Sequence, residues 1–303
     1  DGSLSTFGKL ARLEANSPLA HFRLAVAQAA LENRAAATLS LKKALELKPD
    51  FQDALVLLAG IYTREARFGE AQKLAAEVQQ RFPKSAAGFL LEGDVLLAQN
   101  KPAEAAKAMQ QAYAISRSGP VMIKLHAALV AANDKGAAQA LSDGWLKEHP
   151  DDHTVALYVA EQHLRTNDYK AAVAQYEKVL AKTPTNPMAL NNYAWALGRL
   201  KDSRAIEYAE KAYGLASDNP SIVDTLAVLL LEAGKTGRAM DLLQSATNLA
   251  PDSPDIRYHF AQALMKTGQK SRARQELERA LESSQKFADE AAAKQLLKDL
   301  RNN

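Results

Sequence analysis

The side chains that could do chemistry in this 303-residue chain are few, and their spacing is unhelpful. The histidines are His21, His126, His149, His153, His163 and His259. His149 and His153 are four residues apart, but Pro150 lies between them in a predicted turn. A zinc site needs three or four convergent ligands, usually from a helical H-E-x-x-H or from cysteine pairs. The chain has no such motif and no cysteine, which removes disulfides, thiolate ligands and a cysteine nucleophile together. Gly234 and Gly237 in GKTG suggest a phosphate loop, yet the four-residue Walker spacing and the trailing Lys-Ser/Thr are missing. The stretch reads instead as a turn between helices. There is no G-x-S-x-G and no S-x-x-K at a plausible elbow. Carboxylates are plentiful, but at solvated helix positions and turns. The expectation is no catalytic residue, no metal and no cofactor.

The elements that would position any site are helices. Hydrophobic residues make up 47% and charged residues 24%, a globular composition, and aromatics only 6%. Abundant Ala and Leu favour helix. The net charge is 38 − 35 = +3, and neither half of the chain is basic enough to read as a nucleic-acid surface. No apolar run approaches the ~20 residues of a membrane span.

A fixed period organises these helices. Pro49 and Pro83 are 34 apart, as are Pro150 and Pro184, and Pro220 and Pro254. Amphipathic stretches ending in proline turns recur: AQKLAAEVQQRFP before residue 84, AAVAQYEKVLAKTP through Pro184, AMDLLQSATNLAP through Pro251. Their second halves carry Ala71, Ala75, Val78 and Pro83; Ala172, Tyr176, Val179 and Pro184; Ala239, Leu243, Ala246 and Pro251. Their first halves carry Leu55, Leu58, Ala59 and Tyr62; Phe89, Gly93 and Leu96, with Glu92 out of pattern; Val223, Leu226, Ala227 and Leu230. A 34-residue period with these positions resembles the tetratricopeptide repeat (TPR) family.

The resemblance implies an all-α fold, a right-handed TPR superhelix (α-solenoid) of about eight helix-turn-helix repeats plus a C-terminal capping helix. The repeats tile as 18–51, 52–85, 86–118, 119–152, 153–186, 187–219, 220–253 and 254–286, the 33-residue lengths being assigned to short turns. Residues 1–17 read as the second helix of a truncated preceding repeat, with Phe7 where Leu41 and Ala75 sit later, or as a simple N-terminal cap. Residues 287–303 read as the capping helix, its apolar stripe being Ala291, Leu296, Leu297 and Leu300. A repeat alone cannot bury its apolar face, so stacking supplies the core. Trp145 stands where other repeats place Ala44, Ala112, Ala212, Ala246 and Ala280. It implies either a local change of curvature or a locally repacked core.

The resemblance also puts the first helix of each repeat on the concave side, where partners bind. The positions so selected in repeats five to eight include Glu161, Arg165, Asn191, Asn192, Trp195, Arg199, Asp224, Tyr258 and Gln262. An asparagine can bond a peptide backbone as donor and acceptor. Arginines can grip carboxylates in two-pronged fashion, and Trp and Tyr are enriched at binding hot spots. The expected partner is a protein or peptide, with no nucleic acid. In repeats one to three, Leu19, Phe22, Val26, Leu90 and Leu97 make a more apolar face, suited to an amphipathic helix or to self-association through the solenoid ends. TPR domains that clamp chaperone tails carry a Lys and an Asn four residues apart on one first helix; no repeat here does, and Asn192 alone matches the second Asn.

Residues 189–281 and the ending FADEAAAKQLLKDL further resemble the C-terminal part of the large TPR lipoproteins that accompany exosortase and PEP-CTERM sorting systems. That resemblance implies a scaffold in a bacterial envelope system for exopolysaccharide export or protein sorting. The location it implies is periplasmic or outer-membrane-associated, as part of a longer, lipid-anchored chain. The alternative is the substrate-recognition arm of a larger enzyme such as a glycosyltransferase.

Overall fold

The computed structural model describes residues 2–302, and the described residues form eighteen α-helices and no strand. They fall into two compact units, Asp1–Val155 and Ala156–Asn303. The first contains α1 (Gly2–Leu13), α2 (Pro18–Ala30), α3 (Arg34–Leu47), α4 (Gln52–Arg64), α5 (Phe68–Arg81), α6 (Ala87–Ala98), α7 (Pro102–Ile115), α8 (Gly119–Ala131) and α9 (Lys135–Glu148). The second contains most of α10 (His153–Arg165), then α11 (Tyr169–Lys182), α12 (Pro187–Arg199), α13 (Ala205–Leu215), α14 (Pro220–Glu232), α15 (Thr236–Leu249), α16 (Pro254–Lys266), α17 (Lys270–Glu282) and α18 (Glu290–Asn302).

Local sequence explains where these helices begin. Ser17, Asn186, Asn219 and Ser253 cap α2, α12, α14 and α16, each followed by a proline at the first helical position. The cap side chain takes up an otherwise unpaired N–H, and proline there has no N–H to lose. Asn33, Asp134 and Asp168 cap α3, α9 and α11.

The turn inside each helix pair is the most regular feature of the chain. Glu32, Ala66, Asn100, Asn133, Asn167, Lys201, Gly234 and Gly268 all have φ between 57° and 78°. Around each, the N–H of the following residue reaches back to a carbonyl of the preceding helix, as in Asn33 to Gln28 (2.9 Å) and Lys235 to Leu230 (2.8 Å). These are Schellman closures, which satisfy helix-end carbonyls. The GKTG stretch is therefore a helix-pair turn.

Two connections between helices depart from their counterparts. Only residues 116–118 separate α7 from α8, and α13 starts late, after residues 200–204, without the first turn its counterparts have. An open cleft of about 370 Å³ lies between α11, α12 and α13. It is lined by Tyr193, Tyr208, Glu177 and Arg204 among others. The Tyr193 hydroxyl donates to Glu177 (2.8 Å), and burial followed by that bond raises its pKa.

Packing follows the alanine pattern. Ala71, Ala75 and Val78 are buried, as are Ala172, Tyr176 and Val179, and Ala239, Leu243 and Ala246. Successive helices pack as pairs, and the first helix of a pair also touches the first helix of the next: α4 with α6, α6 with α8, α12 with α14, α14 with α16. Full burial of a large apolar side chain contributes about 1.5–3 kcal/mol, so most of the stability resides in these shared seams.

Trp145 is enclosed by specific local contacts. It is buried, its Nε1 donates to Asp152 Oδ2 (3.0 Å), and its ring lies 4.1 Å from that of His149. At the other end of the chain, α18 buries Ala293 and Leu297, with Leu296 and Leu300 half-buried. Ala291, placed on the apolar stripe by the sequence, is exposed. The helix starts at Glu290, so its inward face is set by Ala293 and Leu297, one turn apart.

Two glycines separate steric from conformational roles. A Cβ on Gly88 would sit 2.7 Å from the backbone nitrogen of Gln79, whereas one on Gly60 would meet nothing within 4 Å. Overpacking costs about 1–3 kcal/mol, while replacing a mid-helix glycine by alanine returns about 0.5–1 kcal/mol. Gly88→Ala is therefore expected to destabilise and Gly60→Ala to stabilise. Urea midpoints that moved together would refute this reading of the α5–α6 contact.

Candidate functional site

The residues selected from the sequence lie on α10, α12, α14 and α16 of the C-terminal unit, and the structure gives them unequal roles. Glu161 and Arg165 on α10 are exposed. On α12, Asn191 is buried, only 5% exposed. Its Nδ2 donates to Asn192 Oδ1 (3.3 Å), while among the described residues nothing donates to its own Oδ1. A buried amide oxygen without a donor is costly. Asn192 faces the Tyr176 hydroxyl, whose pKa burial pushes up to about 12.

One helical turn further, Trp195 is half-buried, and the Arg199 guanidinium lies 4.3 Å from its ring centroid. Arg199 also donates to Glu232 on α14. The ion pair and the cation–π contact hold the guanidinium over the indole, so the ring's position is fixed in advance. Together Asn191, Asn192, Trp195 and Arg199 place an amide pair, an aromatic plane and a cation along one helix.

The remaining candidates are turned to internal contacts. Asp224 on α14 receives His259 Nδ1 at 2.9 and 2.8 Å. Tyr258 is buried, with its hydroxyl accepting from Gln262 (2.8 Å) and its ring 6.4 Å from Phe287. The C-terminal segment thus covers Tyr258, which does not contribute to an open face. Phe287 does to Tyr258 what Phe51 does to Phe22, whose rings lie 4.9 Å apart. Both pairs are 29 positions apart in sequence, so this is a recurrent contact between adjacent pairs.

His259, Glu232 and Phe287 were missed as partners of these residues. A signal existed in the period itself: Arg199 and Glu232 are 33 apart and Asp224 and His259 are 35 apart, which puts each pair at facing positions of neighbouring first helices. Lys124, which donates to both oxygens of Asp94 at 2.7 Å, makes the equivalent bridge between α6 and α8. The exposed bridge between Lys124 and Asp94 contributes about 0–1 kcal/mol. Among the described residues no group of three or more His, Asp or Glu side chains is arranged to hold a metal ion. No helix there is long and apolar enough to cross a membrane.

Four tetratricopeptide repeat models match the chain, at residues 19–51, at 56–120 with 127–187, at 175–208 and at 230–300. The chain belongs to the tetratricopeptide repeat family. A TPR repeat-containing protein of Pseudomonas aeruginosa is 29% identical over 188 residues, covering 56% of this chain and 30% of that protein. The chain therefore spans less than a third of this curated relative. Two solved structures share the TPR fold. The APC/C hetero-tetramer Cut9-Hcn1 gives a TM-score of 0.58 at 17% identity over 97% of this chain and 58% of that one. A tetratricopeptide repeat protein from Parabacteroides merdae gives 0.56 at 14% identity over 94% of this chain and 99% of that one. TPR arrays stack supersecondary units whose extended surfaces bind other proteins, and an array of this kind is typically a scaffold without catalysis of its own.

Proposed function

We propose that this TPR chain is a non-catalytic scaffold that binds peptide segments of partner proteins along α12 and its neighbours α10 and α14. Reading the array as eight repeats from 18 to 286 puts α12 at the first helix of the sixth. The observation that carries the proposal is the Asn191–Asn192–Trp195–Arg199 row. Half-buried Asn192, oriented by the buried Asn191 amide that donates to it, offers its own amide to an extended backbone, and the tryptophan is held in place before any ligand arrives, which lowers the ordering cost of binding. Exposed Glu161 and Arg165 extend the row with charge of both signs. The partner face does not suit a chaperone-tail carboxylate, since Arg199 is already engaged by Glu232.

The finer placement rests on the likeness of residues 189–281 and 287–300 to envelope TPR lipoproteins. It assigns the chain to a bacterial envelope system for exopolysaccharide export or protein sorting, within a longer lipid-anchored protein.

The test is capture from envelope and cytoplasmic fractions of the source organism by the wild-type chain and by Trp195→Ala/Arg199→Ala. Asn191 is left intact because it is buried. Loss of a hot-spot tryptophan costs at least about 2 kcal/mol, roughly 30-fold in affinity. Envelope proteins retained by wild type and lost from the variant are expected. Equal capture by both would move the partner face elsewhere, and capture from the cytoplasmic fraction alone would remove the envelope assignment.

A further inference from the structure

Three elements meet at His259: α14, α16 and the segment that leads into α18. From α14, Asp224 grips Nδ1 with both carboxylate oxygens, and the two side chains are each only 13% exposed. From the first turn of α16, Asp255 acts on the ring and also accepts the backbone N–H of Ala288. From the incoming segment, Asp289 acts on it as well, two residues after Phe287 packs on Tyr258. The cations nearby are committed elsewhere. Arg257 pairs with Glu276 of α17, Lys266 donates to the carbonyl of Leu231, and Lys294 pairs with Glu290. One imidazole is thus the positive charge set among three carboxylates, at the joint where the last helix attaches.

We propose that His259 is a proton-operated clasp: charged, it holds the segment 287–290, which leads into the first turn of α18, against α16; neutral, it withdraws the positive charge that Asp224, Asp255 and Asp289 share and loosens that attachment. Burial alone opposes the charged ring, but the charge of Asp224 and its hydrogen bond, then Asp289 and Asp255, outweigh burial and raise its pKa. Burial raises the pKa of Asp255 too, consistent with a joint that disfavours additional negative charge. The direction follows from linkage. A histidine raised on folding contributes stability that is present in full below its unfolded value and is lost as pH rises through its folded value. The attachment of the segment leading into α18 is therefore firm below about pH 6.5 and weakens as pH rises from there through the raised folded value, the reverse of a carboxylate-driven acid release.

The experiment uses the full chain. Histidine NMR should show His259 titrating above the ordinary value of about 6.5. Amide exchange across residues 290–301, corrected for the intrinsic pH dependence, should lose protection by about tenfold for each pH unit between that value and the raised one, then level off. His259→Gln should sit at the loosened level at every pH. Asp289→Asn, which removes one of the three carboxylates without touching the packed core, should flatten the pH response and keep α18 protected at high pH. Protection of α18 that does not vary with pH, or a His259 titrating at or below the ordinary value, overturns the proposal, and so does an Asp289→Asn profile identical to wild type.

Discussion

Trp145→Ala is expected to destabilise the N-terminal unit by about 3–5 kcal/mol, read from urea unfolding followed by circular dichroism. From the sequence the substitution looks restorative, because alanine fills the corresponding position in other repeats. The structure argues the opposite. The buried indole is enclosed by the tilted His149 ring at 4.1 Å and by Tyr113 of α7 at 6.3 Å. Asp152, which accepts the indole N–H, also accepts the N–H of Val155 at 3.1 Å, so it links the tryptophan to the start of the next helix. Its Oδ2 lies 2.8 Å from where a Cβ on Gly119 would be, so the glycine makes room for the carboxylate. Alanine would leave a void and a carboxylate stripped of a donor. Trp145→Phe keeps most of the volume and should cost about 1–2 kcal/mol more than a purely apolar exchange, through the lost bond. A loss below about 1 kcal/mol for the alanine variant would show that α8 and α9 can close on each other, against the large-to-small norm.

The second large effect belongs to the C-terminal unit. Tyr176 is fully buried on α11, and Tyr176→Ala should cost about 3–5 kcal/mol. Tyr176→Phe isolates the hydroxyl. Removing a buried polar group that is only partly satisfied is nearly neutral, so this variant should lie within about 1 kcal/mol of wild type. The two differ at high pH. Burial raises the phenol to about 12, so its neutral form is the one folding favours. That contribution is intact below the unfolded value of about 10 and is lost as pH climbs from there toward 12. Tyr176→Phe should consequently unfold less readily than wild type across that alkaline window, and identical alkaline profiles would remove Tyr176 from the list of groups that set it.

The period was the most legible part of this chain. Ala71, Ala75 and Val78, and their counterparts at Ala239, Leu243 and Ala246, are buried as the 34-residue spacing requires. Close helix packing leaves room for little beyond a methyl group at Ala71 and Ala239, while the next buried position takes Ala75 in one repeat and Leu243 in another. The Ser17-Pro18, Asn186-Pro187 and Asn219-Pro220 dipeptides announce helix starts through a mechanism that needs only local sequence. The left-handed turns were legible at Gly234 and Gly268 but not at Glu32, Ala66 or Lys201, where the closing hydrogen bonds enforce a conformation the residue type does not advertise. The family resemblance, laid over the register, selects positions on the first helices of repeats five to eight. What the register could not show is which side chains at those positions are already occupied. Tyr258 and Asp224 were selected by position, yet Phe287 and His259 from later elements consume them. Ala291 failed for a related reason, since the direction of the final helix depends on where its first turn begins.

Every substantial helix–helix contact within either unit joins a helix to its immediate successor or to the one after that. Such a chain has little loop-closure entropy to overcome and folds quickly, since ordering any one pair depends only on its nearest neighbours in sequence. For a polypeptide that emerged progressively from a ribosome or a membrane pore, structure could form pair by pair behind the exit. At no stage would more than about one helix pair of apolar surface await its complement, which limits the exposure that drives aggregation of late-folding chains.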